Sequence, residues 1–134
     1  MGRSVDVAYA ELSRRERQIL DILYRLGQAT AAEVQDALPD PPGYSAVRSA
    51  LRLLEQRGVV QHQRDGQRYV YEPKAPKRRM GQGVLSHVLE TFFDGSRQQA
   101  VSALLEDDDL QLTTSEYRRL ADLLEEARRR GGEE

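Results

Sequence analysis

Two arginines stand one helical turn apart at Arg48 and Arg52, with Ser45 and Ser49 interleaved on the same side. Two more, Arg64 and Arg68, flank an Asp65-Gly66 pair. A guanidinium offers five donors in a planar fork. It fits the O6 and N7 edge of guanine or a phosphate. Serine hydroxyls bond either partner. The chemistry these residue types support is recognition of a polyanion, with bond making and breaking left to other proteins. The two histidines, His62 and His87, lie in different segments, and there is no cysteine. Thiolate nucleophiles, thiolate metal sites and disulfides are therefore excluded. No glycine-rich phosphate loop or nucleophile elbow occurs, so no enzymatic activity and no cofactor are expected. The acidic residues Glu106, Asp107, Asp108 and Asp109 match no cation-binding loop and read as a solvated turn, so no metal is expected.

The elements that must position the arginines are legible in the pattern. Ser13 with Glu16 forms a capping box. Leu12, Ile19, Leu20, Leu23 and Leu26 follow as an apolar stripe, and Gly27 closes a first helix over residues 14–26. Thr30 with Glu33 caps a short second helix that carries Val34 and Leu38 and ends at Pro39. Ser45 is read as the N-cap of a third helix. Its buried face is Val47, Ala50, Leu51 and Leu54, and its outer face is Ser45, Arg48, Ser49, Arg52 and Gln56. Gly58 closes it. The period then changes to two. Residues 59–63 and 67–72 read as strands, joined at Arg64-Asp65-Gly66 by a type I′ turn. Tyr69 and Tyr71 are expected in the core. Three helices and a hairpin in this order are the chain order of a winged helix-turn-helix domain.

A basic, proline-containing joint at residues 74–79 marks a boundary. The expected division is a winged-helix domain over residues 1–76 and a helical dimerisation domain over residues 77–134. The fold class is mostly α with a small β-hairpin. In the second part Val84, Leu85, Val88, Leu89 and Phe92 form one stripe. Ser96 with Gln99 caps a helix bearing Val101, Leu104 and Leu105. Thr113 with Glu116 caps another bearing Tyr117, Leu120, Ala121, Leu124 and Ala127. Three short helices are too little chain to bury these stripes internally. A second copy is expected to cover Leu85, Leu89, Phe92, Leu104, Tyr117, Leu120 and Leu124. Charge divides along the same line. Residues 1–80 carry 14 Lys and Arg against 10 Asp and Glu, and residues 81–134 carry 6 against 12. Only the front is suited to a polyanion. The start has no secretory layout and no apolar run approaches bilayer length, so a cytoplasmic chain with no membrane insertion is expected.

The stretches ALPD, YSAVRSALRLLEQRG and RDGQRYVYEP together resemble the BlaI/MecI/CopY repressors, the penicillinase repressor-like family, over nearly the whole chain. The resemblance implies a homodimer on a dyad-symmetric operator in double-stranded DNA. For antibiotic-responsive members it also implies inactivation by a membrane sensor with a metalloprotease domain. Two departures qualify the transfer. The absence of cysteine removes the family's copper-sensing motif. The absence of asparagine removes the Asn-Phe bond at which the β-lactamase-type members are cut. Residues 93–105, around Gly95, are the expected region of any cleavage. A winged-helix module for protein–protein contact and a ligand-responsive repressor are the alternatives. Arginine at positions 48, 52, 64 and 68 favours DNA over the first. The modest apolar content of residues 81–134 disfavours a roomy pocket for the second.

Overall fold

The structure is a computed structural model that describes residues 9–107, 109 and 111–132. Helix α1 spans Arg14–Leu26. Its capping box is complete: the Glu16 amide donates to Ser13 Oγ (3.1 Å) and the Ser13 amide donates to Glu16 Oε1 (2.8 Å). Gly27, at φ 88°, ends it in the left-handed region that favours glycine. Ile19, Leu20 and Leu23 are buried as the stripe requires. Ile22 joins them and Leu26 does not.

Strand β1, Ala29–Thr30, was not expected. It pairs antiparallel with the second hairpin strand, matching Ala29 to Tyr71 and Thr30 to Val70. Thr30 then serves as N-cap of α2, Ala31–Ala37, in a reciprocal box with Glu33. Helix α3 spans Tyr44–Gln56. Its N-cap is Gly43 and not Ser45. Gly43 is extended, and its carbonyl accepts from the amides of Ala46 (3.0 Å) and Val47 (3.2 Å). The helix thus starts directly behind Pro41-Pro42, and Ser45 lies inside its first turn with its side chain exposed.

Strands β2, Val60–Asp65, and β3, Arg68–Pro73, complete a three-stranded sheet of order β1-β3-β2. The turn residues are Gly66 and Gln67, one position later than expected. Gly66 alone has positive φ (68°), the sign pattern of a type II′ turn rather than type I′. The expectation for the tyrosines divides as well. Tyr71 is buried, whereas Tyr69 stays on the surface: the two share one face of β3, but Tyr69 stands nearer the hairpin turn, opposite Arg64, beyond the edge of the core. The core itself is built from α1, α2, α3 and the sheet. Its fully buried side chains are Ile19, Leu20, Leu23, Val34, Val47, Leu51, Leu54 and Val60. Each such side chain contributes about 1.5–3 kcal/mol on burial.

Helix α4 spans Lys77–Phe92. Its Met80 is buried in the same core, and Val84 packs against it. The Tyr24 hydroxyl donates to the Ala75 carbonyl (2.8 Å), which fixes the joint just before this helix. By compactness the chain divides at Gly95 and Ser96, so α4 belongs to the first unit. The second unit holds α5, Arg97–Leu105, and α6, Thr114–Arg130. Ser96 and Thr113 cap them as expected. Glu125 bonds chiefly to Arg128 (2.8 Å), with Arg129 at 4.0 Å. Neither helix has a buried residue. No helix among the described residues is long and apolar enough to cross a membrane.

Candidate nucleic-acid interface

Burial of Val47, Leu51 and Leu54 on one side of α3 turns Ser45, Arg48, Ser49 and Arg52 outward, and all four are exposed. The hairpin register sets the second group. Arg64 stands opposite Tyr69, and Asp65 opposite Arg68. Arg48, Arg64 and Arg68 line one open cleft of about 420 Å³ between the start of α3 and the wing. Tyr44, Gln67, Tyr69 and Tyr71 also line it, with Thr30, Ala31 and Ala32 at the start of α2. Two of the arginines lie over aromatic rings. The Arg48 guanidinium carbon is 5.9 Å from the Tyr44 centroid, and that of Arg64 is 5.7 Å from Tyr69. Both distances are within cation–π range.

Arg48, Arg52 and Arg64 form no ion pair with any described residue. Arg68 pairs with Asp65 at 3.3 Å, but both partners are largely exposed. Exposed pairs of this kind contribute at most about 1 kcal/mol, so a phosphate can displace Asp65 readily. Arg68 also acts on Glu33. The Thr30 backbone and side-chain hydrogen bonds hold the Glu33 carboxyl below its ordinary range, and the charge of Arg68 adds to the effect. Arg52 does not line the cleft. It lies one turn further along α3, where it and Arg48 oppose the burial that raises the Tyr71 phenol.

Sequence spacing found the arginines and serines of this surface. It did not find the long-range convergence of Arg48 with the wing, nor Gln67 and Tyr69 as cleft residues. It also missed a contact beneath the wing, in which His62 Nδ1 lies 2.7 and 2.8 Å from the two Glu55 carboxylate oxygens. The only available signal was that Glu55 lies in the last turn of the third helix, just before the strand bearing His62.

The expected dimer residues are available in a single chain. Leu85, Phe92, Leu104, Tyr117, Leu120 and Leu124 are exposed, with Phe92 at 73% and Leu124 at 65%, and Leu89 is half-buried. Leu123 adds to the exposed apolar residues of α6. Among the described residues no group of three or more His, Cys, Asp or Glu could hold a metal ion. Asp108, part of the acidic run, lies outside the described residues.

The model of the penicillinase repressor family matches residues 12–126. No curated protein matches the chain significantly. Among solved structures, a mutant of Staphylococcus aureus MepR bound to an oligodeoxyribonucleotide is similar, with a TM-score of 0.53 and 19% identity. The match covers 92% of this chain and 83% of that one. The complex structure of hsRosR-S4 gives a TM-score of 0.53 and 14% identity, covering 92% of this chain and 95% of that one. At these identities both likenesses bear on the fold alone.

Proposed function

The chain belongs to the penicillinase repressor family, and from that premise we propose that it is a homodimeric transcriptional repressor that binds a dyad-symmetric DNA operator. The observation that carries this reading is the convergence of Arg48, Arg64 and Arg68 on one open cleft beside the exposed face of α3. Helix α3 enters the major groove, where Arg52, Ser45 and Ser49 reach base edges. Arg64 and Arg68 on the wing take backbone phosphates, and Arg48 spans the two surfaces. The exposed apolar residues of α4, α5 and α6 pair with those of a second chain, which places two α3 helices in successive major grooves about 34–36 Å apart.

Selection of bound duplexes from a random pool tests the proposal. The expected product is a symmetric site whose half-sites are about one helical turn apart. Affinity for it falls with salt by a log–log slope of about −0.9 per phosphate neutralised. Arg52→Ala relaxes the sequence preference at one base pair of each half-site, at a cost of about 1–3 kcal/mol per half-site. A pool that returns no symmetric site overturns the reading.

Family membership supports release by proteolysis, with a membrane sensor that carries a metalloprotease domain as partner. The stretch at residues 93–105 suits cleavage physically. It opens on the exposed pair Asp94 and Gly95, both at positive φ (51° and 78°), and continues into the 9-residue helix α5 with no buried side chain. A helix this short is marginal on its own and opens readily.

A further inference from the structure

Helix α3 ends with an electrostatic mismatch. Glu55 places a carboxylate in its last turn, where the helix dipole favours a cation, and no Lys or Arg stands in that turn. Arg57 at the C-cap turns to Glu16, at 3.8 Å, and the hydrogen-bond partner of Glu55 comes from the wing. The His62 ring on β2 meets both oxygens of Glu55, at 2.7 and 2.8 Å. An ionised carboxylate only accepts, so Nδ1 is the protonated nitrogen in this contact. The pair is partly shielded, with side-chain exposures of 31% for His62 and 35% for Glu55, well below those of the Arg68–Asp65 pair.

The same ring has a second partner. His62 stacks on Tyr69, with centroids 4.2 Å apart and planes 23° from parallel. Tyr71 closes the cluster at 5.6 Å from His62. Tyr69 in turn carries the Arg64 guanidinium over its ring. A continuous series therefore runs from the end of α3 through His62 and Tyr69 to a wing arginine. Arg64 has no ion pair with a described residue, and a long exposed side chain loses rotamer freedom when it binds. A ring held at a fixed height restricts that freedom before binding.

We propose that His62 is a positioning residue for DNA binding: bonded to Glu55 and stacked on Tyr69, it fixes the wing to α3 and holds Arg64 in place for a backbone phosphate. This rests on the DNA-binding reading given above. It differs from a purely structural role because its effect is transmitted to one charge.

The test is a double-mutant cycle on the full chain with the selected duplex, measured by fluorescence anisotropy across a salt series. Arg64→Ala, lost from both half-sites, weakens binding about sixtyfold at 0.1 M salt and makes the salt slope shallower by about 1.8, the value of two phosphate contacts. His62→Ala reproduces both changes. In the His62→Ala background, Arg64→Ala costs less than about twofold, because an unpositioned arginine contributes little. Glu55→Gln, which keeps a hydrogen-bond acceptor for His62, stays closer to wild type than His62→Ala. Equal losses from Arg64→Ala in both backgrounds overturn the proposal. So does a His62→Ala protein that binds more weakly with an unchanged salt slope, the signature of a reduced folded fraction. An Arg64→Ala protein indistinguishable from wild type also overturns it, because the wing charge would then touch no phosphate. Failure of the DNA-binding reading is a separate outcome, seen as a wild-type chain that binds no duplex.

Discussion

Replacing Met80 by alanine separates two views of where the DNA-binding unit ends. Met80 lies beyond the proline-containing joint, yet only 5% of it is exposed and it belongs to the core built by α1, α2, α3 and the sheet. Truncating a buried methionine to alanine costs about 2–5 kcal/mol. A shallow hollow lined by Gly58, Val59, Lys74, Ala75, Arg79 and Met80 adjoins the side chain, so the site is not closed on every side. Part of the lost packing can be recovered by solvent, which puts the cost at the low end, about 2 kcal/mol. For a unit of this size 1 kcal/mol lowers the melting midpoint by about 4–8 °C, so Met80→Ala should lower it by roughly 8 °C or more. The assay is thermal unfolding of the full chain followed by circular dichroism. Protein concentration is held fixed, because a dimer's midpoint depends on it. A chain ending at Gly95 should likewise melt above one ending at Pro76. A Met80→Ala midpoint within about 2 °C of wild type would refute the reasoning, since that shift is less than half of what 1 kcal/mol produces.

Three further outcomes are expected. Leu124→Asp places a charge on the proposed dimer surface, where Leu124 is 65% exposed in a single chain. An unpaired charge buried there costs about 3–5 kcal/mol, so light scattering should report single chains of unchanged helicity, and a persistent dimer would move the interface elsewhere. Burial raises the Tyr24 and Tyr71 phenols above their ordinary value of 10.0. A raised folded-state pKa gives stability that is intact below 10 and lost as pH climbs through the folded value, so the melting midpoint should drop in strong alkali. Tyr24→Phe should flatten that drop, and an identical profile in the variant would exclude Tyr24 as a source. In cells exposed to cell-wall-active antibiotics, blotting should show a fragment cut within residues 93–105 as the target gene is derepressed, whereas an intact band at full derepression would exclude cleavage.

Local signals carried most of the helical architecture. The pairs Ser13/Glu16, Thr30/Glu33 and Thr113/Glu116 each close a capping box, because the interaction is complete within four residues. What the sequence left unreadable was set by distant partners. Strand β1 has two residues and no pattern of its own, and it exists because β3 offers a free edge at Val70 and Tyr71. The hairpin turn is centred on Gly66 and Gln67 because pairing Gln61 with Glu72 and His62 with Tyr71 places Asp65 opposite Arg68. A slip of one residue would turn Val60 and Tyr71 out of the core. Tyr69 follows from the same register, since it shares the His62 and Arg64 face. The exposure of Arg48 and Arg52 was legible from helical spacing. The approach of Arg48 to a wing 16 and 20 residues away in the chain, at Arg64 and Arg68, depends on the packing of α3 against the sheet.

On the proposed reading, the division of charge favours control through the link between chains over control at the DNA surface. One winged unit carries the four arginines proposed to meet DNA, and the chain beyond residue 80 carries twice as many acidic as basic residues. That acidic part is repelled by the duplex and adds nothing to a single chain's affinity. Its contribution comes through pairing. A tether that holds a second unit at a millimolar effective concentration multiplies affinity by about 10²–10⁴ without any new contact to a base. Loss of the tether therefore costs about 3–5 kcal/mol of binding. A single bidentate base contact is worth less, about 1–3 kcal/mol. The exposed turn at Asp94 and Gly95 stands between the arginine-bearing unit and the two helices with no buried residue. On that reading a single cut there leaves the proposed DNA contacts intact and removes α5 and α6 from the proposed pairing surface. Occupancy of the operator then falls, because two independent units must each find a half-site.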